Sequence, residues 1–298
     1  MTDNTYENDI VIREKIAETM MVEIDDACEQ DAEKWRSKRV GSSGIGHSCS
    51  RRVWYEYRWA VTPTIGSEKR PAGQVYRLFN RGHREEPEVE KHLTRIGCRF
   101  VPPPEGKDQH KFYAVEGHAV TKLDGILYLP EKFGVKEPAV LEIKTANMSG
   151  FEKMQKEGVR KAEPKYWAQA NFSCELADLH YIVFYVVSKN DDAIHIEFHK
   201  AERDYGTMLK DKAAHVITAT DPPVKISQSA KNWACKFCDF IDVCHHDKPV
   251  EKNCRSCVHA RPAEDSQWVC GNPAFGQTPN VIPEDFIPLG CDHWQGID

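Results

Sequence analysis

The stretch that decides the fold is GHAVTKLDGILYLP, residues 117–130, followed by PAVLEIKTA, residues 138–146. Both segments are short, rich in apolar residues and bounded by glycine or proline, a pattern that predicts β-strands. Glu142 and Lys144 are two residues apart in the second segment, and side chains two apart on a strand point to the same face. Buried charges without partners are costly, so this acid and this amine need each other, a metal ion or solvent.

The flanking segments predict helices and further strands. We expect a helical arm over residues 1 to about 40, a turn-rich break at VGSSGIGHS, and a helix that begins in SRRVWYEYRWA. A second helix is expected from about Val75 to Ile96, interrupted or re-entered at Pro87. Residues 151–177 predict helix, HYIVFYVVS and AIHIEFH a strand hairpin, and residues from about Glu202 to Thr218 a last helix. This order predicts an α/β core with a mixed sheet.

Length and composition limit the class of protein. A chain of 298 residues that is 40% hydrophobic fits one large domain with a small appendage, or two domains. The longest apolar run, Tyr181–Val187, is far shorter than the roughly 18 residues of a membrane span. The N-terminal residues are charged and polar where a signal peptide needs an apolar block, so we expect a cytoplasmic protein without membrane partners.

The net charge of −6 is not typical of a nucleic-acid-binding protein. One stretch differs: from Lys34 to Arg58, seven basic residues accompany a single acid, and four aromatic residues lie among them, Trp35, Trp54, Tyr55 and Tyr57. Such a mixture can pair with phosphates and stack on bases, and an amphipathic packed helix has the same pattern. Both interpretations stay open from the sequence.

Asp124 ends the polar lead-in of the first predicted strand, and it completes a set with Glu142 and Lys144 on the adjacent one. Hard cations such as Mg²⁺ prefer carboxylate oxygens, and a lysine beside them can orient a water molecule for attack on a phosphate. The alternative is an ordinary cross-strand ion pair at a sheet edge, with Asp124 as a turn residue.

Asp124 and Glu142 are separated by 17 residues, in LDGI and EIK, and this arrangement resembles the PD-(D/E)xK nuclease superfamily. Leu123 stands where a proline often precedes the aspartate. Upstream, RGHREEPEVEKHL is similar to the first motif of the RecB-like and phage lambda-type exonucleases, with Glu86 four residues after Gly82. Downstream, PKYWAQAN is similar to the family's glutamine helix, with Gln169 in the glutamine position and Ser173 where an aromatic residue is often found. The matches extend from about residue 45 to 245.

The resemblance implies a restriction-endonuclease-like core, with a central mixed β-sheet flanked by helices. It implies that Glu86, Asp124 and Glu142 hold one or two Mg²⁺ or Mn²⁺ ions at the scissile phosphate, with His83 able to assist or substitute. Lys144 would help to activate water, and Gln169 would support the lysine or the DNA.

Seven of the eleven cysteines lie between Cys235 and Cys291, and such clustering without an export signal favours metal ligation over disulfides. The first group is Cys235, Cys238 and Cys244, which suits zinc or an iron–sulfur cluster and needs a fourth ligand. Zinc could take His245 or His246, and the other candidate is Cys49. The layout is similar to the AddB subunit of bacterial helicase–nucleases and to CRISPR-associated adaptation nucleases, which implies a 4Fe–4S cluster on these four cysteines. Arg51 and Arg52, beside Cys49, are candidate nucleic-acid contacts.

The second group supplies four thiolates in a segment too short to bury much core, and it predicts a structural zinc site. Its members are Cys254, Cys257, Cys270 and Cys291, with His259 and His293 as possible substitutes. We therefore expect an N-terminal helical arm (residues 1–40), a nuclease domain closed by a cysteine cluster (41–248) and a C-terminal zinc-binding module (249–298).

The function expected from these features is that of a metal-dependent DNA nuclease. By resemblance, it is an exonuclease that acts on DNA ends in recombination, repair or phage DNA metabolism, with recombination or single-strand-binding proteins as possible partners. The alternative is a non-catalytic nucleic-acid-binding protein with structural zinc, which would have no use for Glu142 and Lys144.

Overall fold

The computed structural model describes residues 3–30, 36–62, 65–66, 71–276 and 278–297. The chain divides into two compact units. The first comprises Met1–Trp35 and Pro63–Glu85, and the second comprises Arg36–Thr62 and Glu86–Asp298. None of the helices in the described ranges is long and apolar enough to cross a membrane. The domain boundaries expected after residues 40 and 248 stay predictions.

Helices and strands follow one another in runs along the chain. The helices are α1 (Asp3–Gln30), α2 (Ser42–Ile45), α3 (Ser50–Tyr57), α4 (Ala72–Arg95), α5 (Met148–Glu157), α6 (Val159–Ala162), α7 (Pro164–Ala177), α8 (Arg203–Thr218), α9 (Trp233–Lys236) and α10 (Ile241–His245). The strands are β1 (Val40–Gly41), β2 (Arg99–Phe100), β3 (His110–Ala114), β4 (Ala119–Leu123), β5 (Gly125–Tyr128), β6 (Ala139–Ala146), β7 (Tyr181–Ser188), β8 (Ile194–Lys200), β9 (Ala260–Pro262), β10 (Trp268–Cys270) and β11 (Asn280–Val281).

The first unit consists of α1 and the first part of α4. Gly73 of α4 lies against α1, where a Cβ atom would collide with the backbone of Asp25. Arg77 of α4 forms an ion pair with the same aspartate. The helix α4 continues through Pro87, so the expected interruption there is wrong. A proline removes one backbone donor from a helix, and the remaining hydrogen bonds and side-chain packing hold this one together.

A five-stranded sheet forms the centre of the second unit, in the order β2–β5–β6–β7–β8. Strands β6 and β7 are parallel, with Glu142 beside Phe184 and Lys144 beside Val186. The other neighbouring pairs are antiparallel. The prediction of an α/β fold with a mixed sheet flanked by helices is confirmed at this level of detail.

Both faces of strand β7 are covered by other parts of the second unit. One face of it packs against α5 and α7, in a cluster that includes Ile182, Phe184 and Phe151. The other face presents Val183 and Tyr185 to a second cluster, which also contains residues of α4. Strands buried on both faces have continuous apolar sequences, which is why YIVFYVVS shows no polar alternation.

The helical segment predicted over residues 151–177 is three helices. Helix α5 ends at Gly158, which has a φ of 79°, and α6 gives way to α7 at Pro164. A positive φ is easily reached only without a Cβ atom, and proline is favoured in the first turn of a new helix. The turn-rich break expected at residues 40–48 is also more ordered than predicted, since it contains β1 and α2.

A second sheet, β1–β4–β3, and a third, β11–β10–β9, complete the second unit. The residues after 249 share a hydrophobic cluster with α3 and α8: Trp268, Ile287 and Ile297 are buried in the same cluster as Trp54. The C-terminal segment therefore packs into a common core with the helices that precede it.

Two buried arginines connect this C-terminal segment to α3. Arg58 is fully buried and donates hydrogen bonds to the carbonyls of Cys257 (2.8 Å) and Ala260 (3.3 Å). Arg255 donates to the carbonyl of Tyr57 at 3.1 Å. Both guanidinium groups lie over the ring of Trp268, at 5.3 Å and 4.7 Å. Cation–π contacts and backbone acceptors replace the acidic partners that buried arginines usually need.

Candidate active site

Asp124 lies at the point where the chain passes from one sheet to another. It separates β4, in the three-stranded sheet β1–β4–β3, from β5, in the five-stranded sheet. Its Oδ2 atom accepts a hydrogen bond from the backbone N–H of Ile143 at 2.7 Å. Since β5 pairs with β6 so that Gly125 faces Leu141, Asp124 is held directly beside the strand that carries Glu142 and Lys144.

Glu142 and Lys144 form an ion pair on one face of β6. Lys144 Nζ donates to Glu142 Oε2 at 2.8 Å, and the side chain of Glu142 is fully buried. The other carboxylate oxygen of Glu142, Oε1, is buried and has no hydrogen-bond partner among the described residues. The predicted orientation of the two side chains to one face is what the strand shows.

Helix α7 covers this pair with one of its faces. The Oε1 atom of Gln169 lies 3.4 Å from Lys144 Nζ, and the ring of Tyr166 lies 5.2 Å from the same atom. Ser173, one turn further on, exchanges a hydrogen bond of 2.7 Å with Thr121 of β4. Residues three and four apart share a helix face, so Tyr166, Gln169 and Ser173 together form the wall of the site.

The electrostatics of the pair follow from burial and from the nearby carboxylates. Burial raises the pKa of Glu142 above its ordinary value. The ammonium of Lys144 and the hydroxyl of Ser173 oppose that shift, and the carboxylate of Asp124 adds to it. Burial alone would lower the pKa of Lys144, but the carboxylates of Glu142 and Asp124 raise it. Lys144 is therefore a cation at neutral pH.

The donor set at Asp124 and Glu142 fits a hard divalent cation. Within the described ranges, no three histidine, cysteine, aspartate or glutamate side chains are grouped so as to hold a metal ion. Mg²⁺ does not need three, because it commonly uses one or two carboxylates together with water and substrate phosphate. The unpartnered Oε1 of Glu142 is a buried acceptor that such an ion would satisfy.

The two upstream candidates are on α4. Glu86 is half-buried and belongs to the second unit, with Asp124 and Glu142. His83 is exposed and belongs to the first unit. The assignment of either residue as a metal ligand stays a prediction.

The first cysteine group lines one pocket. Cys49, at the start of α3, and Cys235, Cys238 and Cys244, from α9, α10 and the turn between them, all border it. Burial raises the pKa of Cys235, and the charges of Cys244 and Cys49 raise it further. Thiols that repel one another's charge in this way are the ligands that a metal or a cluster would neutralise.

The two candidate nucleic-acid contacts border the same pocket. Arg52 forms an ion pair with Asp239 at 3.2 Å, and Arg51 donates to the carbonyl of Pro222 at 3.2 Å. Both side chains tie α3 to the segment that follows α8.

The cysteines of the second group influence one another electrostatically. Burial raises the pKa of Cys254 to about 11, with further contributions from the charges of Cys291, Cys257 and Cys270. The backbone N–H of Cys257 donates to the carbonyl of Cys254 at 3.1 Å, closing a tight turn between the first two thiols. The other three thiols are therefore near enough to influence Cys254, but the four are not grouped at metal-binding distances among the described residues. Four thiolates are the donor set of a structural zinc site, and this assignment stays a prediction.

Three aromatic rings of the basic and aromatic stretch that ends at Arg58 are buried and cannot stack on a base. Trp54, Tyr55 and Tyr57 are at most 3% exposed, and Trp35 lies outside the described residues. The open alternative of a packed helix is therefore correct for α3, and base stacking by these three rings is excluded. A buried ring already has protein on both faces.

Sequence reasoning missed Tyr166. Its signal was the spacing of three residues before Gln169, which places both side chains on one face of a helix. The contact with Lys144 comes from a strand distant in sequence, and periodicity alone does not specify it.

Comparison with known proteins assigns no family. No protein-family model and no curated protein matches the chain. An alkaline exonuclease from Laribacter hongkongensis is similar in structure, with 12% identity and a TM-score of 0.42 over 61% of this chain and 87% of that one. Its complex with dAMP gives 13% identity and a TM-score of 0.43 over 62% of this chain and 90% of that one. Similarity this low assigns neither a fold family nor an activity to the chain.

Proposed function

We propose that this protein is a divalent-metal-dependent DNA nuclease whose cutting centre is formed by Asp124, Glu142 and Lys144. The observation that carries the proposal is the fully buried carboxylate of Glu142. One of its oxygens is paired with Lys144 at 2.8 Å and the other has no partner among the described residues. Asp124 is held beside it through the N–H of Ile143.

A purely structural ion pair does not account for this arrangement. Burying two charges costs several kcal/mol per ion unless the remaining donors and acceptors are satisfied. Here Glu142 Oε1 is unsatisfied, and Asp124 adds a second negative charge that raises the pKa of Glu142. Sites that retain such unfavourable electrostatics are commonly functional.

Each side chain has a definable part in phosphodiester hydrolysis. Asp124 and Glu142 would hold Mg²⁺ or Mn²⁺, which supplies electrophilic stabilisation of the phosphate. The ammonium of Lys144 has three N–H donors. One is directed to Glu142 and one toward Gln169, which leaves the third for a water molecule or a phosphate oxygen. Gln169 and the ring of Tyr166 fix the direction of the lysine, and preorganised charge of this kind lowers the barrier.

The finer activity that we propose is exonucleolytic cutting at DNA ends, with Glu86 as a further ligand and His83 able to assist. The resemblance of RGHREEPEVEKHL and PKYWAQAN to segments of RecB-like and lambda-type exonucleases supports this choice. Recombination, repair or phage DNA metabolism would be the setting.

Digestion of end-labelled DNA tests the nuclease proposal. Linear single strands, linear duplex and closed circular duplex are incubated with Mg²⁺ or Mn²⁺ and the wild-type protein. We expect the linear forms to be degraded and Lys144→Ala to reduce the rate by about 10²–10³, the usual effect of removing one preorganised stabilising group. Lys153→Ala is the control, because Lys153 Nζ donates to the carbonyl of Ala162, on α6, at 2.9 Å. Intact DNA in every wild-type reaction would refute the proposal.

We further propose that Cys49, Cys235, Cys238 and Cys244 hold a 4Fe–4S cluster, with zinc as the alternative. Their common pocket supports a shared ligand, and the choice of iron rests on the sequence resemblance. Protein purified without oxygen is expected to be brown and to lose its colour in Cys49→Ser. The control is Cys98→Ser, since Cys98 is a buried cysteine outside both groups. A colourless wild-type protein that contains zinc in this group would select the alternative.

The last proposal assigns zinc to Cys254, Cys257, Cys270 and Cys291. Their mutual charge effects on Cys254 support a common ion. Elemental analysis of the purified protein is expected to give one zinc fewer in Cys291→Ser than in the wild type. Unchanged zinc content would refute the assignment.

A further inference from the structure

The most exposed large aromatic side chains among the described residues are on a short segment that follows α8. Trp233 is 84% exposed and Phe237 is 85% exposed. They are four residues apart, at the start of α9 and immediately after its end, so they lie about one helical turn from each other. Each leaves a large apolar ring in water, whereas burying such a ring is normally favourable.

Trp233 and Phe237 are exposed because the opposite side of α9 packs against the pocket of the first cysteine group. Ala234, Cys235 and Cys238 border the pocket of the first cysteine group. The anchoring of these residues turns Trp233 and Phe237 outward. The backbone is also fixed from within, since the Asn232 side chain accepts a hydrogen bond from the N–H of Ala234 at 2.9 Å. The two rings are therefore presented by an ordered segment.

The charge of the same segment is strongly positive for a chain whose net charge is −6. Residues 222–238 contain three lysines, Lys225, Lys231 and Lys236, and no acidic residue. None of the three forms an ion pair with a described residue. Two acids flank the segment: Asp239 is paired with Arg52, and Asp221 accepts a hydrogen bond from the Thr220 hydroxyl at 2.8 Å. Lys236 Nζ lies 5.4 Å from the ring of Phe237, so cation and ring form one surface.

We infer that Trp233 and Phe237 stack on the bases of single-stranded DNA, while the exposed Lys231 and Lys236 contact its phosphates; Lys225 borders the cysteine pocket and is not part of this surface. Open aromatic faces beside unneutralised lysines are how proteins bind single strands without sequence preference. Duplex DNA fits less well, because its bases are already stacked and their faces are closed. The choice of DNA rests on the proposed nuclease function; the surface itself lies on α9, outside the cluster of Asp124, Glu142 and Lys144.

Binding of labelled oligo(dT) to the full-length protein, followed by fluorescence anisotropy without added divalent ion, tests this inference. Trp233→Ala and Phe237→Ala are each expected to weaken binding by about fivefold to 150-fold, the range for the loss of one base–aromatic stack. Trp233→Phe should recover most of the affinity. The matched control is Phe133→Ala, because Phe133 is 54% exposed and also carries a lysine, Lys132, at 5.2 Å. That variant should bind as the wild type does.

Salt dependence provides a second measurement. Two phosphate contacts predict a slope of log K against log salt of about −1.4, and Lys231→Gln should reduce its magnitude by about 0.7. Wild-type affinity in both aromatic variants would overturn the inference. Loss of binding to phosphatidylserine vesicles in Trp233→Ala, with oligo(dT) binding unchanged, would overturn it in favour of a membrane surface. This experiment measures binding and not cleavage. Unchanged binding by the aromatic variants would therefore not refute the nuclease proposal, and a protein that cuts no DNA could still confirm single-strand binding.

Discussion

Substitution of Lys144 measures how much the ion pair between Glu142 and Lys144 on β6 contributes to the stability of the fold. Glu142 is fully buried, and its one charged hydrogen-bond donor among the described residues is Lys144 Nζ at 2.8 Å. Lys144→Met leaves that carboxylate without a counter-ion, and breaking a buried pair from one side costs about 3–5 kcal/mol. The contact with Gln169, at 3.4 Å, is at the outer limit of a hydrogen bond and adds little. We expect the free energy of unfolding to fall by about 3–5 kcal/mol.

A double variant distinguishes the free energy of the ion pair itself from the effects of each substitution on its surroundings. Glu142→Gln combined with Lys144→Met buries no charge, and replacing a buried pair by neutral residues is often neutral or stabilising by about 1–4 kcal/mol. The double variant should therefore be close to the wild type in stability. The coupling free energy in the double-mutant cycle is expected to be about 3 kcal/mol.

Urea unfolding of the four proteins, followed by far-ultraviolet circular dichroism, gives these free energies. The measurement is made without divalent ions and at alkaline pH, where the carboxylate of Glu142 is ionised even though burial raises its pKa. A cost below about 1 kcal/mol for Lys144→Met, or additive effects of the two substitutions, would refute the description of a buried and coupled pair.

Two further predictions concern packing elsewhere in the second unit. Gly46→Ala should lower the free energy of unfolding by about 1–3 kcal/mol, because the added Cβ atom would lie 2.7 Å from the Cβ of Ala168. Gly44→Ala is the control, since its Cβ atom would meet nothing within 4 Å. Equal melting temperatures of the two variants would contradict this prediction. Burial lowers the pKa of His118, whose ring lies 2.8 Å from the Tyr57 hydroxyl and 2.8 Å from the Ala263 carbonyl. The folded protein holds this ring neutral, so stability should decrease as the pH falls below about 6.5, by at most about 1.4 kcal/mol per pH unit. Urea unfolding across this range should show a smaller dependence in His118→Gln, and an unchanged slope would count against it.

Local sequence patterns predicted the elements that carry the site. The apolar segment at 138–146 is β6, and the two-residue spacing of Glu142 and Lys144 does place both on one face. The hairpin predicted from HYIVFYVVS and AIHIEFH is β7 and β8. These features depend on periodicity and on turn residues, which are local properties of the chain.

The same local patterns could not predict which residues distant in sequence pack together. The rings of Trp54 and Tyr57 could have faced solvent or core, and their burial depends on Trp268, more than 200 residues later. The C-terminal segment seemed too short for a core of its own, yet it shares one with α3. Likewise, the exposure of Trp233 and Phe237 depends on which side of α9 faces Cys49, a choice that no local pattern encodes.

If Asp124 and Glu142 share a divalent cation, the protein must bind Mn²⁺ through Asp124. Electron paramagnetic resonance measures free Mn²⁺ during titration of the wild type, of Asp124→Asn and of a control, Asp211→Asn, at an exposed acid on α8. We expect Asp124→Asn to bind at least one Mn²⁺ fewer than the wild type and the control, and to lose DNA cutting as well. Identical Mn²⁺ stoichiometry and affinity in all three proteins would contradict this expectation.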